Sequence, residues 1–281
     1  DFVEQDLQVT KDGRLICLHD ADLARTTNVA QVFPDRARER DADGDGKATR
    51  GWYTVDFTLA EIKQLDAGSW FNRANPFAAR DAYSKEKVPT LEEAADAIAG
   101  RAGLYIELKH YEFYKSLGLD MPAKLAAVLR EKGFASKPDR VLIQSFYKSG
   151  LLRMREVAPA YPRIQLLPME DPGREQDSRK ISADLAKEIA SYARGAGPAK
   201  QLLRSAADVT LLHDAGLLVH PYTFRGSTSA ASRRPLDEVQ PNGDSLRANA
   251  VSEIRKFIEF GIDGGFTDYP DLWKEAANGV R

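Results

Sequence analysis

The stretch VPTLEEAADAIAGRAGLYIELK (residues 88–109) decides the fold. Thr90, with Glu93 three residues on, is a capping box that opens a helix running to about Ile98. Gly103 then leads into Leu104-Tyr105-Ile106-Glu107-Leu108, an apolar run of strand length and β-rich composition. The rhythm repeats downstream. Leu125, Val128 and Leu129 form a helical face closed by Gly133, and residues 140–146 read as a strand followed by a helix. Residues 163–167 are a further strand, and Ser182 can cap a helix carrying Leu185, Ile189 and Tyr192. Residues 217–220 form another strand, Ile254, Phe257 and Ile258 mark a late helix ended by Gly261, and residues 264–268 form the last strand. Strands separated by single helices pair in parallel through right-handed crossovers. The expected class is therefore α/β, and the expected architecture is a (β/α)8 TIM barrel forming one domain over residues 1–281. Six or seven barrel-type strands can be counted, with Gly197 marking one more.

Upstream of that stretch the pattern changes. The chain opens in a strand, FVEQDLQV (residues 2–9), then a Lys11-Asp12-Gly13 turn and a second short strand over residues 14–19. From there to Lys87 it is polar and irregular, with one short helix expected from the capping box of Thr58 and Glu61. A stretch this long between regular elements reads as an insertion building one wall of a site. An opening inside a strand predicts further sequence upstream, carrying one barrel strand, its helix and any targeting signal.

Composition excludes several classes. Of 281 residues, 43% are hydrophobic and 29% charged, which is too apolar for a disordered chain. Forty Lys plus Arg stand against 42 Asp plus Glu, so net charge gives no reason to expect nucleic acid or an anionic membrane as partner. No apolar run approaches the roughly 18 residues needed to span a bilayer. The one cysteine, Cys17, forms no internal disulfide, and a core of this size needs none.

The sharpest chemical signal is a set of carboxylates inside apolar strands. Glu4 and Asp6, two residues apart, project from one face of a strand, and Glu107 and Lys109 repeat the spacing on another. At the C-terminal ends of barrel strands such residues belong to the active-site face. Two readings compete: solvated ion pairs at a rim, or carboxylates converging on a cation that relieves their repulsion. All-oxygen ligands suit Ca²⁺ or Mg²⁺ rather than zinc. His19 ends a strand beside Asp20, His110 follows Lys109 as a polar exit, His213 reads as a helix-surface residue, and His220 precedes Pro221 at a strand end. Asp41, Asp43, Asp45 and Gly46 copy half of a calcium-binding loop, but its twelfth position is Trp52 instead of Glu, which favours a flexible acidic loop. Trp52, Tyr53, Trp70 and Phe71 could cover a pocket mouth, although packing of the insertion is the commoner role.

Taken together, these segments resemble the glycerophosphodiester phosphodiesterase family, most closely its bacterial periplasmic type. The resemblance rests on VEQDL (3–7), TKDG (10–13), LHD (18–20), LARTT (23–27), FTLAEIK (57–63), VPTLEE (88–93), IELK (106–109), IQSF (143–146), VHPYT (219–223) and FTDYP (266–270), in order across the chain. It implies a (β/α)8 barrel with an inserted subdomain over residues 28–87, and a divalent ion, Ca²⁺ or Mg²⁺, held by Glu4, Asp6 and Glu107. It implies that His19 is one of two general acid–base histidines and that Lys109 lies beside the phosphate. Gln144, Phe146, Tyr222 and His220 are expected to line the substrate pocket. The family's other histidine belongs to a His-Arg-Gly motif that does not occur in these 281 residues. The implied reaction converts a small-molecule glycerophosphodiester such as glycerophosphocholine to glycerol 3-phosphate and an alcohol, in the periplasm or outside the cell. A phospholipase of the sphingomyelinase D kind and an inactive phosphodiester-binding surface protein are the alternatives on the same barrel.

Overall fold

The computed structural model describes residues 1–98, 100–169, 180–225 and 245–279. The chain clusters into two compact units, Asp1–Arg163 and Ile164–Arg281.

In the first unit, β1 (Phe2–Val9) pairs antiparallel with β2 (Leu15–Cys17), through a turn in which Gly13 takes φ 77° and the Gly13 amide donates to the Thr10 carbonyl. Only glycine adopts that left-handed geometry without strain. On its other side β1 pairs in parallel with β5 (Gly103–Leu108), which pairs in parallel with β6 (Val141–Ser145). All six residues of β5 are buried, as a parallel strand covered on both faces requires. Helix α4 (Leu91–Ile98) precedes β5 and starts at the expected Thr90–Glu93 box. Helices α5 (Tyr111–Ser116) and α6 (Met121–Glu131) follow β5, and α7 (Lys148–Val157) follows β6. Leu125 and Leu129 of α6 are buried, and Gly133 ends that segment at φ 78°, as the pattern predicts. The six-residue α5 is new: YEFYKS is too short to show a helical period.

Residues 28–87, expected from the sequence to be an insertion, are more ordered than their sequence suggests. They hold three short helices, α1 (Val29–Val32), α2 (Leu59–Ile62) and α3 (Ser69–Ala74), and a two-stranded antiparallel pair, β3 (Arg38–Arg40) with β4 (Thr49–Gly51). Arg-Glu-Arg and Thr-Arg-Gly carry no apolar alternation. What holds the pair is polar: Arg40 is bound to Asp56 at 2.5 and 2.8 Å, and the Tyr53 hydroxyl bonds the Thr49 side chain at 2.6 Å. Beneath it Leu23, Val29, Phe57, Ile62 and Leu65 form a core with Ile16 and Val88, and the Trp52 indole packs there while donating to the Phe33 carbonyl at 2.7 Å. Trp52 and Tyr53 are thus packing residues. The Thr58–Glu61 capping box forms as expected.

In the second unit, β7 (Arg163–Leu167), β8 (Gly195–Pro198) and β9 (Leu218–Val219) are parallel neighbours in that order. The strand marked by Gly197 is therefore real. Its glycines serve close packing, since a Cβ at Gly195 or Gly197 would meet a leucine or isoleucine methyl within 2.8 Å. Helices α8 (Ala183–Ala190), α9 (Ala206–Asp214), α10 (Leu246–Glu259) and α11 (Pro270–Asn278) complete the unit. Ser182 caps α8 as expected, and Ile254 and Phe257 are buried on α10. The strand expected over residues 264–268 does not form. One parallel bridge, Phe224 to Thr267, remains. Pro221 supplies only a carbonyl there, accepting from Phe266, and Gly264-Gly265 next to it favours no extended ladder. In both units the βα alternation is that of a (β/α)8 barrel. No helix among the described residues is long and apolar enough to cross a membrane.

Candidate active site

Register assembles the site. Asp6 is the direct partner of Glu107 across β1 and β5, and Glu107 is the direct partner of Gln144 across β5 and β6. Side chains facing the same way on adjacent strands lie side by side, so three strands deliver Asp6, Glu107 and Gln144 as one row, with Glu4 two residues behind Asp6. Carboxylate oxygens of Glu4, Asp6 and Glu107 come within 4.8 Å of one another. The Gln144 amide donates to Glu4 Oε1 at 3.0 Å.

Three carboxylates this close cannot all stay ionised without compensation. Burial, reinforced by the Asp6 charge, pushes the Glu4 carboxyl up to about 8 against the opposing pull of Lys109. Burial likewise lifts Glu107 well above the ordinary range, although Lys109 counters it. Lys109 Nζ stands 3.5 Å from Glu107 and 3.8 Å from Asp6, so one ammonium serves two carboxylates and leaves the cluster short of positive charge. An all-oxygen, anionic, partly buried donor set fits a hard divalent cation. The alternative of solvated rim pairs does not describe Glu107, which is 6% exposed.

Lys109 also links the cluster to a histidine, its Nζ lying 3.1 Å from His19 Nε2. The other ring nitrogen, Nδ1, is 2.6 Å from Asp20 Oδ1, and the second oxygen of Asp20 accepts from Arg25 Nε. Burial raises the Asp20 carboxyl, but the hydrogen bonds from His19 and Arg25 outweigh it and hold it far below the usual carboxylate range. An ionised Asp20 fixes the His19 proton on Nδ1 and leaves Nε2 as the acceptor facing Lys109. The His19 side chain is 61% exposed, as suits a group that must meet a small molecule. Arg25 is in turn stacked 5.7 Å over Trp70.

Of the other sequence-predicted residues, Phe146 directly follows β6 and is half-buried. His220 and Tyr222 lie in the second unit. His220 directly follows β9 with Gly264 against its ring, where burial lowers its pKa against the pull of Asp263. Tyr222 donates its hydroxyl to the Leu167 carbonyl at 3.0 Å. His213 is the helix-surface residue its pattern suggests, paired with Asp263 at 2.9 Å on the last turn of α9. In the acidic loop, Asp41 accepts the amides of Gly44, Asp45 and Gly46, and Asp43 reaches 3.4 Å from His110 Nε2. Asp20 and Arg25 as orienters, and Gln8 beneath them, were not singled out by spacing. The available signal was a polar residue at the next same-face position of β1 after Glu4 and Asp6.

Residues 1–272 match the model of the glycerophosphoryl diester phosphodiesterase family. The chain is 36% identical over 282 residues to a glycerophosphodiester phosphodiesterase of Bacillus subtilis, covering 99% of this chain and 77% of that protein. It is 28% identical to one of Haemophilus influenzae, covering 100% of this chain and 83% of that one. The structure superposes on an Oleispira antarctica phosphodiesterase in complex with the product sn-glycerol-3-phosphate, with a TM-score of 0.67 and 23% identity, covering 99% of this chain and 85% of that chain. It also superposes on the Agrobacterium tumefaciens glycerophosphodiester phosphodiesterase, with a TM-score of 0.59 and 23% identity, covering 99% and 87%. The fold is that of these (β/α)8 enzymes, and the chain belongs to the glycerophosphoryl diester phosphodiesterase family of phosphoric diester hydrolases.

Proposed function

We propose that this member of the family hydrolyses soluble glycerophosphodiesters, glycerophosphocholine among them, to sn-glycerol 3-phosphate and an alcohol. In this reading Glu4, Asp6 and Glu107 hold one divalent ion, Ca²⁺ or Mg²⁺. The observation that carries it is the convergence of those three carboxylates, on the paired strands β1 and β5, with Lys109 and His19, which follow β5 and β2. A bound divalent cation supplies Lewis acidity and charge compensation to the phosphoryl oxygens.

The chain's own residues do the rest. Lys109 offers Nζ to a phosphoryl oxygen on which charge accumulates during displacement. His19 transfers a proton at Nε2, either from the attacking hydroxyl or to the departing alkoxide, as one member of the two-histidine scheme that the resemblance implies. Asp20 keeps the imidazole in the tautomer that makes Nε2 the reactive nitrogen, and it stabilises the imidazolium once formed. Gln144 orients Glu4 through its amide. Phe146, Tyr222 and His220 are proposed to contact the substrate, and the proposed location is the periplasm or the cell exterior.

The test is release of sn-glycerol 3-phosphate from glycerophosphocholine in excess EDTA and after adding back Ca²⁺ or Mg²⁺. Turnover abolished by the chelator and restored by one ion supports the proposal and names the metal. Turnover unaffected by EDTA overturns the metal assignment, and no turnover on any diester, with binding retained, points to a non-catalytic role.

A further inference from the structure

We infer that Gln8 is a positioning residue whose side-chain amide fixes His19 and Lys109 relative to one another and holds His110 as its Nε2–H tautomer. The inference rests on the catalytic reading above. Gln8 lies on the face of β1 that carries Glu4 and Asp6, and it is fully buried, as are Tyr114 and Thr54 around it.

Both hydrogens of that amide and its oxygen are engaged. Nε2 lies 2.8 Å from the backbone carbonyl of His19 and 3.2 Å from Nδ1 of His110. Oε1 accepts from the Tyr114 hydroxyl at 2.5 Å, and the Tyr114 oxygen is 2.9 Å from Thr54 Oγ1. The His19 carbonyl can only accept, so the nitrogen end of the amide must face it, and the orientation follows from chemistry. Tyr114 then spends its one proton on Oε1, which makes Thr54 the donor to Tyr114. The second amide hydrogen points at Nδ1 of His110, which must carry a lone pair. The ring proton is therefore on Nε2, which faces Asp43 Oδ1 at 3.4 Å.

Two consequences follow. His110, although adjacent to Lys109 and near His19, is not the proton-transfer partner of His19. Its neutral ring has one nitrogen accepting from Gln8 and the other already protonated, and an imidazolium would set an N–H against the amide N–H. The second consequence is mechanical. His110 has φ 47°, a left-handed geometry that non-glycine residues keep only when their surroundings impose it, and this turn reverses the chain directly after Lys109. Gln8 imposes it by gripping His110 with its nitrogen and Tyr114, one helical turn further along α5, with its oxygen. The same nitrogen holds the backbone of His19. One buried amide thus ties together the two segments whose side chains meet at Lys109 Nζ and His19 Nε2.

The experiment is histidine-ring NMR by long-range ¹H–¹⁵N correlation, together with steady-state kinetics, on the unaltered protein, Gln8→Glu and Tyr114→Phe. The unaltered protein should show His110 with Nδ1 unprotonated and Nε2 protonated. Gln8→Glu keeps the shape but removes both donors, so Nδ1 of His110 should gain a proton. Its kcat should fall ~10- to 100-fold, as for loss of other groups that orient catalytic side chains, with KM changed far less. Tyr114→Phe leaves the amide oriented by His19, so the tautomer should persist with a milder loss of kcat. Nδ1–H in the unaltered protein overturns the inference, as does an unchanged kcat in folded Gln8→Glu. If the unaltered protein shows no turnover, the catalytic reading fails, while the tautomer measurements, which need no turnover, still decide the assignment of Gln8.

Discussion

Lys109 Nζ sits 3.1 Å from His19 Nε2 while remaining within 3.8 Å of both Asp6 and Glu107, so one ammonium joins the proposed proton-transfer group to the proposed metal ligands. A phosphodiester brings a negative charge to this point. It would then compete with two carboxylates and an imidazole for the same amine. Lys109 is thereby both a partner for substrate and a counter-charge inside the acidic cluster, and these roles respond oppositely to its removal.

Lys109→Ala should therefore bind a divalent cation more tightly while turning over more slowly. A unit charge about 4 Å away costs an incoming divalent cation about 2 kcal/mol even at the screening of water, and more where solvent is excluded, so affinity should rise at least about thirtyfold. Over the same comparison kcat should fall on the order of 100-fold, the scale of losing one positioned donor to a developing oxyanion. Calorimetric titration with Ca²⁺ or Mg²⁺ beside a glycerol 3-phosphate release assay separates the two. Unchanged cation binding in the variant would place Lys109 outside the electrostatic reach of the cluster, and weaker binding would mean that its ammonium organises the carboxylates rather than opposing the ion.

Asp20→Asn keeps the shape of the His19 partner and removes its charge. The amide can present N–H to Nδ1, which favours the tautomer with the proton on Nε2, the nitrogen proposed to react. We expect kcat to fall by about 100-fold or more with KM little changed, and the lost activity to stay lost across pH. An equal fall in kcat/KM arising wholly from KM would instead make Asp20 a substrate-binding group.

The proposed cation ligands were legible in the sequence because strand geometry has a period of two. Glu4 with Asp6, and Glu107 with Lys109, had to share faces once their strands were recognised, and barrel topology put those faces together. The same logic reached β8 through Gly197 and the caps at Thr58, Thr90 and Ser182, each a short-range pattern with its own hydrogen bond. What stayed hidden was held by long-range polar contacts. The β3–β4 pair depends on Arg40, Asp56 and Tyr53, which show no periodicity. The Gln8, Tyr114 and Thr54 chain joins residues 60 and 106 positions apart, and no local pattern announces it. The strand expected over residues 264–268 failed for the converse reason, since composition alone could not show that only one bridge would pair there.

Cys17 should be nearly inert in the folded protein. Burial, aided by the negative charges of Asp6 and Glu4, pushes its thiol up to about 12 from 9.0, so the thiolate fraction near neutral pH falls about a thousandfold. Alkylation by iodoacetamide at pH 8 should be slower than for a free thiol by roughly that factor, apart from any gain in intrinsic nucleophilicity. Unfolding in guanidinium should restore ordinary reactivity. Rapid alkylation of native protein would mean that β2 opens readily and the thiol is not held where the strand register puts it.

Glu61 offers a measure of the stability around α2 that is independent of catalysis. Its carboxylate closes the capping box of α2 by accepting from the Thr58 amide at 2.8 Å, and it meets Arg36 at 2.7 Å, whose guanidinium lies 4.4 Å over the Phe57 ring. The Arg36 hydrogen bond, followed by the Thr58 amide, lowers its pKa from 4.5 to about 2. Because the folded value lies below the unfolded one, the unfolded chain binds the proton first as pH falls. The stabilisation is thus fully present above about pH 4.5 and drains away between there and about pH 2. Glu61→Ala removes a cap and a partly solvated ion pair, so at pH 7 it should cost about 1 kcal/mol. In urea unfolding followed across pH, the gap between the two proteins should narrow steadily below pH 4.5 and close near pH 2. A gap that stays constant through that window would assign the loss to α2 helix propensity and side-chain packing, with no contribution from the charge of Glu61.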